Sequence, residues 1–232
     1  MSVSTISSYN FNILHLTDIH GAVYLIDKID YELSTSDLVI ISGDITHFGG
    51  TSEVENIINK IKILNSKILA VPGNCDTLKV QEYLNEISIN LHNKLITFNN
   101  FNFTGFGGSL PCPGKTPIEY TEKEYENFIN SMDFSIKPNS DLIVVSHQPP
   151  HKTLNDKLLF GMHVGSKTLR NFILNKKPLL YLTGHIHEGI GVDTVYGCKI
   201  VNPGPFRSGK YAKIKISDEK NIDIQLKQIT AN

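Results

Sequence analysis

Short apolar runs alternate with longer amphipathic stretches through the first third of the chain, and this alternation restricts the fold more than any other feature. FNILHLT (11–17), DLVIIS (37–42) and KILAV (67–71) read as buried strands. Between them, AVYLIDKIDYEL (22–33) carries Val23, Ile26, Ile29 and Leu33 at helical spacing. SEVENIINKIKIL (52–64) does the same with Val54, Ile57, Ile58, Ile61 and Leu64. A third helix is expected from about Leu78 to Glu86. A β-α-β-α-β order requires a parallel sheet with right-handed crossovers, and so an α/β fold.

The middle of the chain changes character. Residues 95–106 resemble a hairpin around Asn99-Asn100. GFGGSLPCPGKTP (105–117) is too rich in Gly and Pro for a helix or strand interior, and loops of that length are commonly functional. A helix over roughly 121–133 follows, then the buried strand DLIVVS (141–146) and a long loop to about Gly165. SKTLRNFILN (166–175) opens with a serine suited to N-capping. LLYLT (179–183) and a strand pair over 192–201 come next. YAKIKIS (211–217) and IDIQLKQI (222–229) alternate with period two, as half-buried antiparallel strands should. No repeat or long linker divides the chain, so residues 1–232 read as one domain.

Composition narrows the function classes. The net charge is −1 and no long basic run occurs, so long nucleic acid is not an expected partner. Cys75, Cys112 and Cys198 are widely spaced and form no CxxC, which argues against a disulfide framework and a Cys-rich zinc site. No apolar run approaches the ~20 residues that span a bilayer, and the start lacks the pattern of a secretory signal. No membrane partner is therefore expected, and the cytoplasm is the expected compartment. Nothing in the pattern specifies an oligomeric state.

The chemistry lies where the apolar runs stop. The first is followed by Asp18 and His20, the second by Asp44, the third by Asn74, the fourth by His147 and the fifth by His185 and His187. In α/β sheets the carboxyl ends of parallel strands share one edge, and ligands bind outside it. Carboxylate, imidazole and amide donors together suit divalent zinc, manganese or iron. Seven donors exceed one tetrahedral ion and suit two ions sharing a bridging carboxylate. Gly43, Gly73 and Gly184 each precede a ligand, where the backbone must turn and approach closely. Singly, Asp18 or Asp44 would read as a turn residue; together with the other strand ends they read as ligands.

The blocks DIH, GD, GNCD, SHQPP and GHIH occur in the order and rough spacing of the calcineurin-like metallophosphoesterases, and the chain resembles that family from Asp18 to about Gly209. HVGSKTLRNFI and GHIHEGIGVDT are similar to its small prokaryotic branch. The resemblance implies a four-layer α/β/β/α sandwich of two mixed sheets flanked by helices. It implies two divalent ions of manganese, iron, zinc or nickel type. Asp18, His20, Asp44 and His187 would hold one, and Asp44, Asn74, His147 and His185 the other, with Asp44 bridging. The implied activity is hydrolysis of a small phosphodiester or nucleotide-type ester by in-line attack of a metal-bridging hydroxide, with Asp44, Asn74 and His147 in the catalytic centre.

One position departs from the family pattern. Where many members carry a histidine after the Asn, this chain has Cys75 followed by Asp76. A thiol is a weak donor, so Asp76, His151 and His163 are candidates to assist the leaving group. Cys75 also reads as a small buried filler. Ser109 and its glycine loop are expected near substrate or at the surface, and Asn202-Pro203-Gly204 as a turn supporting the site. His15 reads as a packed or hydrogen-bonded core residue, and His47 and His92 as surface or loop residues. The Cys75 substitution is the one feature favouring an alternative, a fold-retaining protein that binds a nucleotide or protein without turnover. A repair-type nuclease would need a basic stripe that this chain lacks.

Overall fold

The computed structural model describes residues 10–134 and 141–230. Two mixed sheets pack face to face with helices on both outer faces. The first sheet has the order β11-β10-β1-β2-β3, with β1 Asn10–Leu16, β2 Leu38–Ser42, β3 Ile68–Val71, β10 Lys210–Ser217 and β11 Ile222–Gln228. The second has the order β4-β5-β6-β7-β9-β8, with β4 Leu95–Phe98, β5 Phe101–Phe106, β6 Asp141–Ser146, β7 Leu180–Leu182, β8 Gly191–Val195 and β9 Cys198–Asn202. In the first sheet β1, β2 and β3 run parallel, and β10 lies antiparallel to β1. In the second β5, β6, β7 and β9 run parallel, edged by antiparallel β4 and β8.

Three apolar layers follow from the side-chain periodicities. Between the sheets, Ile13, Ile40 and Val71 meet Phe103, Val145, Leu180 and Leu182. The outer face of the first sheet packs Leu14, Val39 and Ala70 against α2 (Thr51–Leu64) and α3 (Leu78–Glu86). Val54, Ile57, Ile58 and Ile61 of the expected stripe are buried there, whereas Leu64, at the last turn, is exposed. The outer face of the second sheet packs Val144, Tyr181 and Ile200 against α4 (Glu122–Ser131) and α5 (Lys167–Lys176). The layering is thus α/β/β/α, as the resemblance implies.

The helix expected over 22–33 is two pieces: a 3-10 stretch, Val23–Lys28, and α1, Asp30–Thr35. The first apolar residues, Val23, Ile26 and Ile29, are three apart, which matches the three-residue turn of a 3-10 helix. The longer step from Ile29 to Leu33 restores the α period. At the hairpin, Asn99 and Asn100 take φ 50° and 67°, as a two-residue type I′ loop requires. Thr121 caps α4 in a reciprocal capping box with Glu124. Ser166 caps α5 by accepting the Leu169 N–H. Glu122, at the start of α4, also accepts Ser166 Oγ, Lys167 N–H and Thr168 N–H. One carboxylate therefore ties the two outer helices together at an N-terminus, where negative charge is favoured.

Leu180 is fully buried in the inter-sheet layer, so Leu180→Ala should cost about 2–5 kcal/mol in urea unfolding. Ile63→Ala, at a side chain 81% exposed on α2, should stay within about 0.5 kcal/mol of the parent.

Candidate metal centre

The five strand ends expected to share one sheet edge come from two sheets. The carboxyl ends of β1, β2 and β3 deliver Asp18, His20, Asp44 and Asn74, and those of β6 and β7 deliver His147, His185 and His187. The two sets face each other across the sandwich. Backbone bonds lock the loops together: Asp18 N–H donates to Gly43 O (3.0 Å), His20 N–H to Asp44 O (2.9 Å) and Gly184 N–H to His147 O (3.3 Å).

The turns are sharp. Asp18, His20, Asp44 and His185 have φ of 53°, 45°, 50° and 66°, a left-handed region that few L-residues occupy and that costs backbone energy. A Cβ on Gly43, itself at φ 96°, would strike the His147 ring, and one on Gly184 would strike Thr17 Oγ1 and Asp18 Oδ2. At both positions a glycine hydrogen lets one sheet's loop touch the other's.

Three sets of ligand atoms lie within 4.8 Å of one another: Asp18, His20 and His187; Asp18, Asp44 and His147; and His20, Asp44 and Cys75. His187 Nε2 is 3.3 Å from Asp18 Oδ1, His20 Nε2 is 3.6 Å from Asp44 Oδ2, and His147 Nε2 is 3.5 Å from Asp44 Oδ1. Asn74 Oδ1 joins them, 2.9 Å from His147 Nε2. His185 enters differently. Its ring packs on that of His147, centroids 5.0 Å apart, and its N–H donates to Asp18 Oδ2 (3.2 Å). His147 Nδ1 is 2.8 Å from the Ser42 carbonyl. A carbonyl only accepts, so Nδ1 holds a proton and Nε2 is the nitrogen offered to the pocket.

Burial works against every charge here, and the neighbours decide the outcome. It pushes the Asp44 carboxyl up, but the charge and hydrogen bond of His147, then His20, hold it well below the carboxylate range. Burial pushes His147 down, but the Asp44 charge beside it raises it to about 9. His185, desolvated and facing His147, is lowered to about 4. Cys75 is pushed far up by burial and by Asp44.

These residues fit a divalent cation. Two buried carboxylates, Asp18 and Asp44, crowd one pocket, and His20 Nε2 is buried with no hydrogen-bond partner. Both features call for a positive centre.

The residues around the cluster divide into supports and neighbours. Asp76, expected to assist a leaving group, is a brace. Its Oδ1 accepts Thr46 N–H and Thr46 Oγ1, and its Oδ2 accepts Ile45 N–H and Gly73 N–H. Four donors saturate it, and it ties the loops after β2 and β3. His163 is bound to the buried Asp156 (Nδ1 to Oδ1, 2.6 Å), and His151 Nδ1 stands 3.4 Å from the same carboxylate. Asn202 holds the GHIH turn by donating to Ile186 O (2.9 Å), as a supporting role predicts. Ser109 is buried and 3.4 Å from Cys112 Sγ, which stands 3.9 Å from His185 Nε2. His15 is a core residue, with Nε2 2.8 Å from Ser42 Oγ.

Two of the other histidines fall within expectation but are more engaged than residue type tells. His92 is a half-buried loop residue that accepts the Gly107 N–H (2.9 Å) and stacks on Tyr120 at 5.3 Å. His47 is exposed but lies 3.4 Å from His20 Nδ1, at the rim of the cluster. Arg207 and Gln148 escaped sequence reasoning. The Arg207 guanidinium stands 3.5 Å from His187 Nδ1. It is one of two arginines in the chain and follows the NPGP turn, the only local signal for it. Gln148 follows His147 directly. Its Oε1 accepts the Leu110 N–H and its Nε2 donates to Val164 O.

The metal-free protein gives a pH test. The folded pKa of His147 lies above its ordinary 6.5, so its pairing contributes stability that is complete below about pH 6.5 and lost as pH rises through about 9. The stability difference between the parent and His147→Gln, measured by denaturation in chelator, should shrink across that window.

A family model described as calcineurin-like phosphoesterase matches residues 11–189. An uncharacterized protein of Methanocaldococcus jannaschii is 38% identical over 200 residues, covering 83% of this chain and 88% of that protein. A probable glycerophosphodiester phosphodiesterase of Arcobacter nitrofigilis is 25% identical over 197 residues, covering 79% of this chain and 68% of that protein. A crystal structure of a Thermus thermophilus protein shares the fold, with a TM-score of 0.73 at 15% identity, covering 96% of this chain and all of that one.

Proposed function

This chain belongs to the calcineurin-like phosphoesterase family, and from that membership we propose that it hydrolyses small phosphodiesters or nucleotide-type esters at a dinuclear metal centre. The observation that carries this reading is the convergence of Asp18, His20, Asp44, His147 and His187 on one pocket, with His20 Nε2 buried and unpartnered. Asp18, His20, Asp44 and His187 would hold one ion, and Asp44, Asn74, His147 and His185 the other. Divalent ions bound there supply Lewis acidity toward the phosphoryl oxygens and a nucleophile at neutral pH.

The chain's own residues prepare the rest. The Ser42 carbonyl fixes the His147 tautomer, and the Cys75 N–H orients Asp44 through Oδ1 (2.8 Å). Arg207 offers a guanidinium at the open side of His187, suited to an oxygen of the phosphate. A single cation there matches the single negative charge of a diester, and the Arcobacter relative's name points the same way. We read the chain as one domain working in the cytoplasm. Among the described residues no helix is long and apolar enough to cross a membrane.

The leaving oxygen lacks a protein acid in this reading. Asp76 is saturated by donors, His163 is committed to Asp156, and His151 Nδ1 stands 3.4 Å from that same carboxylate. Solvent then supplies the proton, and good leaving groups are favoured.

Hydrolysis of a chromogenic phosphodiester and the matching monoester with Mn²⁺ should favour the diester. Asp44→Ala and His147→Ala should each lower kcat by more than the roughly 10–100-fold that an outer-shell change costs. Activity equal to those variants would leave the non-catalytic binding protein as the better reading. Across aryl diesters, kcat should fall steeply as the leaving-group pKa rises. A flat series would mean that a side chain delivers the proton after all.

A further inference from the structure

We propose that Cys75 is itself a metal ligand, its thiolate joining His20 and Asp44 around one ion and biasing the centre toward soft divalent metals. The inference rests on the metal-centre reading above and adds an eighth donor to it. The Cys75 sulfur, a His20 ring nitrogen and an Asp44 carboxylate oxygen all lie within 4.8 Å of one another. Independently, the His20 side chain is 5% exposed and its Nε2 has no hydrogen-bond partner. The residue that carries this unsatisfied buried nitrogen therefore already belongs to the group that contains the sulfur.

The local backbone holds that sulfur in place. Cys75 N–H donates to Asp44 Oδ1 at 2.8 Å, and Cys75 O accepts the Phe48 N–H at 3.1 Å. Both bonds pin residue 75 against the loop that carries the shared carboxylate. Asn74 spans the pocket beside it, with Oδ1 2.9 Å from His147 Nε2 and Nδ2 directed at Cys75 Sγ at 3.7 Å. The sulfur therefore faces the pocket beside both the Asn74 amide and the Asp44 carboxylate, and its proton would leave only when a cation takes that place.

On coordination the S–H bond breaks, its proton passes to water and the electron pair goes to the ion. Thiolate is a soft ligand. Carboxylate and water suit manganese and magnesium, whereas sulfur favours zinc and the later first-row ions. A histidine at this position would leave the donor set nitrogen and oxygen alone. Cys75 therefore turns a departure from the family pattern into a determinant of metal choice.

The other thiols provide controls. Cys112 stands beside His185 Nε2 and belongs to none of the three-ligand groups, and Cys198 is buried under the second sheet.

The test is optical and independent of turnover. The full chain, stripped with chelator and loaded with Co²⁺, should show an intense sulfur-to-cobalt charge-transfer band in the near ultraviolet beside the weak visible d–d bands. The band should survive Cys112→Ser and vanish in Cys75→Ser and Cys75→Ala with cobalt still bound. The same two Cys75 variants should lose zinc-over-manganese preference in competition by at least the roughly tenfold that loss of a supporting partner costs. Full cobalt loading of the parent without the band, or a band that persists in both Cys75 variants, would overturn the proposal. The parent band needs no variant to fold. Failure of the parent to take up cobalt at all would overturn the metal centre and the proposal together, and is distinct from loading without the band.

Discussion

Two carboxylates forced into one buried pocket set the terms for everything around them. Asp18 and Asp44 repel each other and are cut off from water. Against burial, histidines hold each one ionised: the His187 hydrogen bond and the His147 charge at Asp18, and His147, then His20, at Asp44, with the Cys75 N–H adding to the latter. The acids come from one sheet and His147, His185 and His187 from the other. Neither sheet could bury its own half of this set unaided, so the electrostatics of the pocket and the packing of the sandwich are one problem. The left-handed backbone at Asp18, His20, Asp44 and His185 costs about 1–3 kcal/mol per residue. The interlocking loop bonds and the inter-sheet apolar layer offset that cost.

Much of this was legible because the candidate ligands follow apolar runs. A strand such as LVIIS announces itself by burial on both faces, and a polar residue just past it has to lie at the sheet edge. That logic placed Asp18, Asp44, Asn74 and His147 at strand ends, and the stripe on α2 followed from period alone. The partition into two sheets was not legible in periodicity. A buried parallel strand reads the same whichever sheet holds it, and only the family resemblance implied the split. The broken helix at Ile29 was visible in hindsight, since a three-residue spacing fits a 3-10 turn better than an α-helix.

The roles that residue type did not reveal share a cause. Asp76, His92 and Arg207 have roles set by partners far away in the chain, and residue type alone says nothing about those partners. Asp76 is the right type for an acid, but Thr46 and Ile45, thirty residues earlier, turn it into a brace. His92 is polar and sits near a loop, yet Tyr120 and Phe128 cover it. Arg207 becomes a site residue because the chain from β9 returns alongside β1, where the Phe206 and Arg207 N–H groups donate to Thr17 O and Asp18 O.

Gln148 joins the two irregular loops that wall the cleft, receiving Leu110 from one and holding Val164 from the other, one residue beyond a ligand. An amide shared in this way couples the walls mechanically. An insertion or deletion in either loop is felt by its opposite number and by the imidazole next door. Replacing one wall alone would leave half of this amide unpaired, so the two loops form a single seam rather than independent parts.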